Sequence, residues 1–106
     1  MSKKHIIISA LTKLCVPTNL KGHRCLVYAI ELCADDYTLL SRVMEGLYPA
    51  IAEKYDCSPV CVEAQMRYAV QRAFDVAGQA VWVKYFGRYR KVTVLEFIAA
   101  VALHIQ

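Results

Sequence analysis

Residues 49–75 read PAIAEKYDCSPVCVEAQMRYAVQRAFD and contain the clearest structural pattern in the chain. Ser58 is a good N-cap residue, and Pro59 behind it suits the first turn of a helix, where a missing N–H costs nothing. After Pro59, apolar residues recur at three- and four-residue steps, which places them on one face of a long helix. They are Val62, Met66, Ala69, Val70, Ala73 and Ala77. Because Pro49 fits the start of a shorter helix, the stretch predicts two helices joined by a turn.

Two helices around a tight turn have the shape of a helix-turn-helix, which places its second helix in the major groove of DNA. The motif requires a small residue in the first helix and an apolar anchor early in the second. Ala52 meets the first requirement, and Val62 with Met66 meets the second. A plain helical hairpin with no nucleic-acid role gives a similar sequence, so the pattern alone leaves both interpretations open.

The helical periodicity continues toward the N-terminus. Residues 3–15 place apolar side chains on one stripe, and we expect this helix to end before Pro17, since proline disfavours helix in the residue before it. A second helix follows, with Thr18 or Asn19 as its cap. Residues 37–46 repeat the helical pattern. The N-terminal half is therefore predicted to be helical.

Helical signals also follow the central stretch. We expect Gly78 to close the long helix, because glycine commonly terminates helices. Residues 80–86 are short and aromatic and fit either a helix or an extended segment, and residues 87–91 read as a basic turn. Thr93 caps a last apolar helix, with Glu96 three residues later in the position of a capping box.

The composition indicates a single compact all-α domain. The chain has 106 residues, enough for one core but too few for two ordinary domains. With 58% apolar and 21% charged residues it has ample core material, while four glycines and three prolines are too few for the turns of a sandwich or barrel. We predict one domain over residues 1–106, a compact helical domain of about five to six helices.

The sequence carries no signal for a membrane or secreted protein. Its longest apolar run is far shorter than a membrane span, and its start lacks a cleavable secretory signal. We therefore expect a cytoplasmic protein without a membrane partner.

Five cysteines form an odd set without a CxxC pair, and no histidine lies at a zinc-ligand spacing from any of them. They are Cys15, Cys25, Cys33, Cys57 and Cys61. We expect reduced thiols packed in or near the core, with no metal and no cofactor. Because Cys57 and Cys61 are four residues apart and could share a helical face, a metal or redox role is the alternative.

The net charge of +4 lies mainly in the second half of the chain. Residues 54–106 hold seven Lys or Arg against four Asp or Glu, which suggests a basic surface for a polyanion. Double-stranded DNA is the partner that we favour, and a merely solvated basic face is the alternative. The candidates for phosphate contacts are Lys54, Arg88, Arg90 and Lys91.

We predict that the protein is not an enzyme. The sequence lacks GxGxxG, P-loop, HExxH and GxSxG motifs, and its three histidines lie far apart. Two aromatic or apolar segments have other interpretations. Trp82, Tyr85, Phe86 and Tyr89 could stack on bases, although packing is favoured. The apolar last helix could form a dimer face, although burial in its own core is favoured.

Ordered matches over residues 8–103 resemble one known family. They are VP and KG within residues 16–22, LYPAIAEKY at 47–55, VE at 62–63 with Arg67 and Ala69, FG at 86–87 and EFIA at 96–99. At these spacings the chain resembles the C-terminal DNA-binding domain of the stage-zero sporulation master regulator of endospore-forming bacteria. The resemblance implies an all-helical transcription factor domain. Such a domain reads a short promoter box with the second helix of its helix-turn-helix, here about residues 49–75, often as tandem copies.

The resemblance also implies which residues meet DNA. The recognition-helix candidates are Ser58, Val60, Cys61, Glu63, Ala64, Arg67, Tyr68 and Gln71. In the family, arginines typically stand at the places held here by Cys61 and Ala64, and a histidine stands at that of Tyr68. Glu63 and Arg67 match the family and can contact a cytosine amine and a guanine or phosphate. The resemblance therefore transfers the fold and the DNA-binding role better than the promoter sequence.

The family's domain normally follows a phosphorylatable receiver domain, whereas this sequence begins at Met1 just before its first predicted helix. We expect no receiver domain, and occupancy set by abundance, a ligand or a partner. Such partners include a second copy of the chain, a full-length regulator or RNA polymerase. The alternative function is a non-catalytic interaction protein of the same fold that has lost specific base readout and modulates a full-length regulator.

Overall fold

The computed structural model describes residues 2–105, and within this range it contains six α-helices and no strand. The helices are α1 (Lys3–Lys13), α2 (Lys21–Asp35), α3 (Tyr48–Lys54), α4 (Pro59–Val76), α5 (Gln79–Phe86) and α6 (Val94–His104). The predicted all-α class is confirmed. None of these helices is both long enough and apolar enough to cross a bilayer.

Helix α2 lies at the centre of the molecule, in contact with α1, α3, α4 and α6. Because several of its faces have neighbours, apolar residues at most positions of the helix are buried. The fully buried ones are Cys25, Leu26, Ala29, Ile30 and Cys33. The last helix also contributes to the core through the buried residues Val94, Phe97, Ile98, Val101 and Ala102. Most of the apolar surface of α6 is therefore used within the domain, as predicted, although Leu103 is exposed.

One contact fixes the position of α4 against α2. A Cβ atom placed on Gly22 would lie 2.1 Å from the carbonyl oxygen of Gln65 and 2.8 Å from Cβ of Ala69. Real side chains do not approach so closely, so the two helices cross at this point only because residue 22 lacks a side chain. The close packing of α4 on α2, and with it the orientation of the outer face of α4, thus depends on a glycine in α2.

The predicted N-caps of α4 and α6 are confirmed. The hydroxyl of Ser58 accepts a hydrogen bond from the backbone N–H of Cys61, with Pro59 in the first turn of α4. At α6, Thr93 and Glu96 form a reciprocal capping box, in which each side chain accepts from the other residue's backbone N–H. These local bonds begin the two helices where the sequence indicates.

The prediction for the α1–α2 connection needs correction. Helix α1 ends at Lys13, two residues earlier than expected, because Cys15 adopts a left-handed backbone with φ of 64°. Neither Thr18 nor Asn19 caps α2. Leu20 occupies the N-cap position, and its side chain makes no capping bond. The second helix therefore starts at Lys21, later than its cap-like residues suggest.

The prediction of a regular helix over residues 37–46 is wrong in type. The chain forms a 3₁₀ helix over Tyr37–Ser41 and then a π-helical turn over Val43–Leu47, which leads directly into α3. The side chain of Asp36 accepts from the backbone N–H of Thr38 and starts the 3₁₀ turn. Helical periodicity in the sequence does not distinguish these tighter and wider turns from an α-helix.

Gly78 does not terminate α4 as predicted. Ala77 is the C-cap residue, with extended backbone, and Gly78 is the N-cap of α5 with φ of −69°. The left-handed C-cap glycine is instead Gly87, with φ of 81°, which ends α5. Of the two interpretations left open for residues 80–86, the helical one is correct.

The aromatic residues of α5 pack against the core rather than forming an open stacking platform. Trp82 is fully buried, with ring centroids 5.2 Å from Phe74 and 4.6 Å from Phe86. Its indole N–H donates to the carbonyl oxygen of Arg90 at 2.7 Å. Trp82 therefore attaches the basic segment after Gly87 to the core. Tyr89 remains 48% exposed, although its ring also contacts Phe74.

Candidate nucleic-acid interface

Helices α3 and α4 pack against each other on either side of a short turn. Ile51 and Ala52 of α3 are buried, and the backbone N–H of Cys57 donates to the carbonyl oxygen of Ala52 at 3.0 Å. Asp56 takes the left-handed backbone, with φ of 52°, a conformation that Asp and Asn tolerate better than most residues. The turn thus brings the N-terminus of α4 out beside the end of α3.

The two faces of α4 divide as the sequence predicts. Val62, Met66, Ala69, Val70 and Ala73 are buried, in agreement with the predicted apolar face. On the outer face Val60 is 75% and Tyr68 56% exposed, while Ser58 and Arg67 are also exposed. The remaining candidates Cys61, Glu63, Ala64 and Gln71 are half-buried. All eight recognition-helix candidates therefore present at least part of their surface to solvent.

Arg67 is already engaged within its own helix. Its guanidinium forms an ion pair with the carboxylate of Glu63, one turn earlier. The side chain of Arg67 nevertheless remains 65% exposed. Since exposed ion pairs contribute little free energy, this pairing orients the guanidinium and leaves it free to exchange partners.

Cys61 forms part of a small network that sequence reasoning missed. Gln65 donates from Nε2 to the sulfur of Cys61 at 3.2 Å, and its Oε1 accepts from the thiol of Cys25 at 3.6 Å. Burial raises the pKa of Cys25 to about 11, so that thiol stays protonated and remains a donor. The sulfur of Cys61 therefore faces the α2 side of the helix, where its half-buried position limits contact with a base edge.

Gln71 is held in a similar way. Its amide donates to the carboxylate of Asp75 at 2.9 Å, again one turn along the helix. With Arg67 bonded to Glu63, three of the polar candidates on α4 are engaged in two intrahelical pairs. Both pairs are local and open to solvent, so a ligand with stronger acceptors can displace them.

Lys54 lies in a cluster of cations and aromatic rings at the α2–α3 junction. Its ammonium lies 4.7 Å from the ring centre of Tyr28, and the guanidinium of Arg24 lies 4.4 Å from that of Tyr55. The two rings meet edge to face at 6.2 Å. Arg24 is not among the residues predicted to contact DNA, since nothing in the one-dimensional pattern places it beside Lys54.

The three basic candidates after α5 have different environments. Arg90 bonds to the carboxylate of Glu96 at 2.8 Å and to the carbonyl oxygen of Lys91 at 2.9 Å, so it stabilises the start of α6. The hydrogen bond from Arg90 is the main reason that the pKa of Glu96 falls to about 2. Arg88 and Lys91 are exposed and form no ion pair with any residue in the range 2–105. These two are therefore better placed than Arg90 to meet phosphates.

The cysteines form no disulfide within the described chain. Cys25 and Cys33 are buried, as expected for core thiols, and Cys15, Cys57 and Cys61 are half-buried. Burial also raises the pKa of Cys33 to about 11. Across residues 2–105 no three His, Cys, Asp or Glu side chains come together as a metal site would require.

One family matches almost the whole chain. The model described as sporulation initiation factor Spo0A C terminal covers residues 7–105. This is a family of helical DNA-binding domains of transcription factors, not of enzymes, and it agrees with the resemblance inferred from the sequence. The matched range contains all six helices except the first turn of α1. The chain therefore belongs to the Spo0A C-terminal domain family of sporulation initiation factors.

Proposed function

We propose that this chain is a sequence-specific, cytoplasmic DNA-binding regulator of transcription, a single domain that reads promoter DNA with α4. The observation that carries the proposal is the outer face of α4, on which Val60, Arg67 and Tyr68 are exposed while the opposite face is anchored in the core. A rigid helix with one free face, entered through a short turn, suits the major groove.

Base readout is assigned to the exposed polar residues of this helix. Arg67 can donate to the acceptors of a guanine once a base or phosphate replaces Glu63, and Glu63 can then accept from a cytosine amine. Gln71 can contact adenine in the same way. Lys54 near one end of the helix, and Arg88 with Lys91 beyond α5, are the proposed phosphate contacts.

Cys61 and Ala64 imply a promoter sequence different from that read by typical members of the family. Neither side chain can form the bidentate bond with guanine that an arginine gives at these places, a bond worth about 1–3 kcal/mol of discrimination. Val60 and Ala64 can instead pack against thymine methyl groups. We therefore expect a box poorer in guanine contacts and richer in apolar ones, bound by one copy or by tandem copies.

Selection from a random duplex pool at two salt concentrations tests the proposal. We expect one enriched motif whose affinity persists better at the higher salt concentration than binding to unselected DNA. Arg67→Ala should weaken binding to the selected motif by about 1–3 kcal/mol. Arg72→Ala is the matched control, because it removes another exposed arginine of α4 that is outside the proposed contact set. An unenriched pool, with all binding lost steeply as salt rises, would exclude sequence-specific readout.

The second candidate function is an interaction protein that keeps the fold without base readout and modulates a full-length regulator. The pairing of Arg67 with Glu63 and the absence of a cation at Cys61 and Ala64 favour it, because all three features lower the positive charge offered to DNA. It predicts an unenriched pool together with direct binding to a family member that carries a receiver domain. The selection experiment thus separates the two functions.

A further inference from the structure

A groove of about 530 Å³ runs between α4 and the segment that leads into α6. Its volume lies in the range of about 300–1,000 Å³ that is typical of sites for small molecules. The lining is mainly apolar and includes Val70 and Phe74 from α4 with Val92 and Leu95 from the other side. Base readout by the outer face of α4 does not need such a cavity.

Two hydrogen-bond donors without protein acceptors in the described part of the chain line the groove beside these apolar residues. Tyr48 is only 4% exposed and lines the groove, yet its hydroxyl forms no hydrogen bond with any residue from 2 to 105. Burial raises the pKa of Tyr48, so the hydroxyl remains a donor. Lys91 contributes an ammonium without a carboxylate partner in the same range.

Among residues 2–105, the only carboxylate that lines the groove belongs to Glu63, and it is already paired with Arg67. The groove therefore has a surplus of positive charge, two donors that lack acceptors and an apolar interior. A ligand that carries an acceptor beside an apolar body would complement both parts of this lining.

We propose that this groove binds a small amphipathic anion, a carboxylate attached to an apolar or aryl body. The carboxylate accepts from Lys91 and from the hydroxyl of Tyr48, and the apolar body packs on Val70 and Phe74. Charge-assisted hydrogen bonds of this kind are the strong ones in protein recognition.

If the chain binds DNA as proposed above, a ligand in the groove should affect that binding. Arg67 and Gln71 line the groove and are also candidates for base contact. A bound carboxylate draws the guanidinium of Arg67 into the groove and competes with DNA for it. Occupancy of the groove should then weaken DNA binding, which gives the domain a ligand-dependent switch of its own.

The test is a titration of the ¹⁵N-labelled chain with 4-phenylbutyrate, followed by amide chemical shifts. We expect saturable shifts around the groove, and at least about 10-fold weaker binding of the neutral 4-phenylbutanamide. Lys91→Gln and Tyr48→Phe should each weaken 4-phenylbutyrate binding by about 5-fold or more. Lys4→Gln removes an exposed cation of α1, outside the groove lining, and should bind like the unmodified chain.

Equal affinity for the acid and the amide would overturn the proposal, as would an absence of saturable shifts or unchanged binding by both groove variants. Circular dichroism checks that Tyr48→Phe is folded, which we expect because the hydroxyl makes no hydrogen bond within residues 2–105. DNA affinity is measured separately with and without 4-phenylbutyrate. Groove binding with unchanged DNA affinity refutes only the switch, and a chain that binds no DNA refutes the proposed function while leaving the groove result intact.

Discussion

Gly22 and Gln65 bring the backbones of α2 and α4 into direct contact. A methyl group at residue 22 would lie 2.1 Å from the carbonyl oxygen of Gln65, well inside the contact distance of any carbon and oxygen. Because that oxygen belongs to the backbone in the middle of α4, a side chain movement cannot relieve the overlap. The orientation of the proposed DNA-reading helix therefore depends on the absence of one side chain.

Gly22→Ala should destabilise the fold by about 1–3 kcal/mol or more, the usual cost of overpacking a well-packed interface. Urea unfolding followed by the fluorescence of Trp82, the only tryptophan in the chain, measures this change. Gly78→Ala is the matched control, since a Cβ there meets nothing within 4 Å and the backbone φ is −69°. A Gly22→Ala protein as stable as the Gly78→Ala protein would contradict the backbone contact.

Trp82→Phe should lower stability by about 1–2 kcal/mol, because the carbonyl oxygen of Arg90 loses its indole donor and the smaller ring leaves space in the core. Thermal unfolding by circular dichroism gives the change without the tryptophan signal. The backbone around Arg90 should also become more mobile than in the unmodified protein, as measured by ¹⁵N relaxation. Unchanged relaxation in residues 88–92 would show that Trp82 does not hold this segment.

Glu96 should make the free energy of unfolding depend on pH in the acid range. Its pKa is lowered to about 2 in the folded chain, first by the hydrogen bond from Arg90, from an ordinary value near 4.5. The folded state then holds the carboxylate charged while the unfolded chain takes up a proton, so this contribution is present above pH 4.5 and is lost as pH falls toward 2. Glu96→Gln should lower the melting temperature at pH 7, and the difference should shrink toward pH 2. Glu45→Gln, in the exposed π-helical turn, serves as the control with little effect.

His23 should give a pH dependence of the same sign as Glu96, in a less acid range of pH. Its ring is half-buried with Nε2 lacking a hydrogen-bond partner, and burial lowers the pKa of the ring below 6.5. Below pH 6.5 the unfolded chain binds the proton before the folded one, so stability falls with falling pH and recovers as pH rises. His23→Gln should reduce that slope between neutral and mildly acid pH, as seen in unfolding measured at several pH values. A ring that titrates by NMR at or above pH 6.5 would refute this assignment.

Much of the helical architecture could be predicted from interactions between residues close together in the sequence. Ser58 and Thr93 start α4 and α6 where expected, because an N-cap is a bond between a side chain and a backbone N–H three residues away. The apolar face of α4 is likewise confirmed at Val62 and Met66, since spacing along a helix fixes which residues share a face. The family could be inferred as well, because its motifs are short local strings in a fixed order.

Other predictions failed where the backbone conformation depends on the neighbouring packing. Cys15 takes a left-handed backbone conformation that the residue types around it do not predict. Gly78 is a residue type that commonly terminates helices, yet it lies at the start of α5. The turns over residues 37–47 share the periodicity of an α-helix but differ in their hydrogen bonds.

The site depends still more on the three-dimensional arrangement. The sequence places Arg67 on an exposed face, but the contact of Arg24 with Tyr55 and the unbonded hydroxyl of Tyr48 in the groove follow from how the helices pack. Helix caps and helical periodicity depend on residues that are close together in the chain, so both can be recognised from the sequence alone. Which side chains meet across helices is set by interhelical packing such as the contact at Gly22, and that packing brings together residues far apart in the chain.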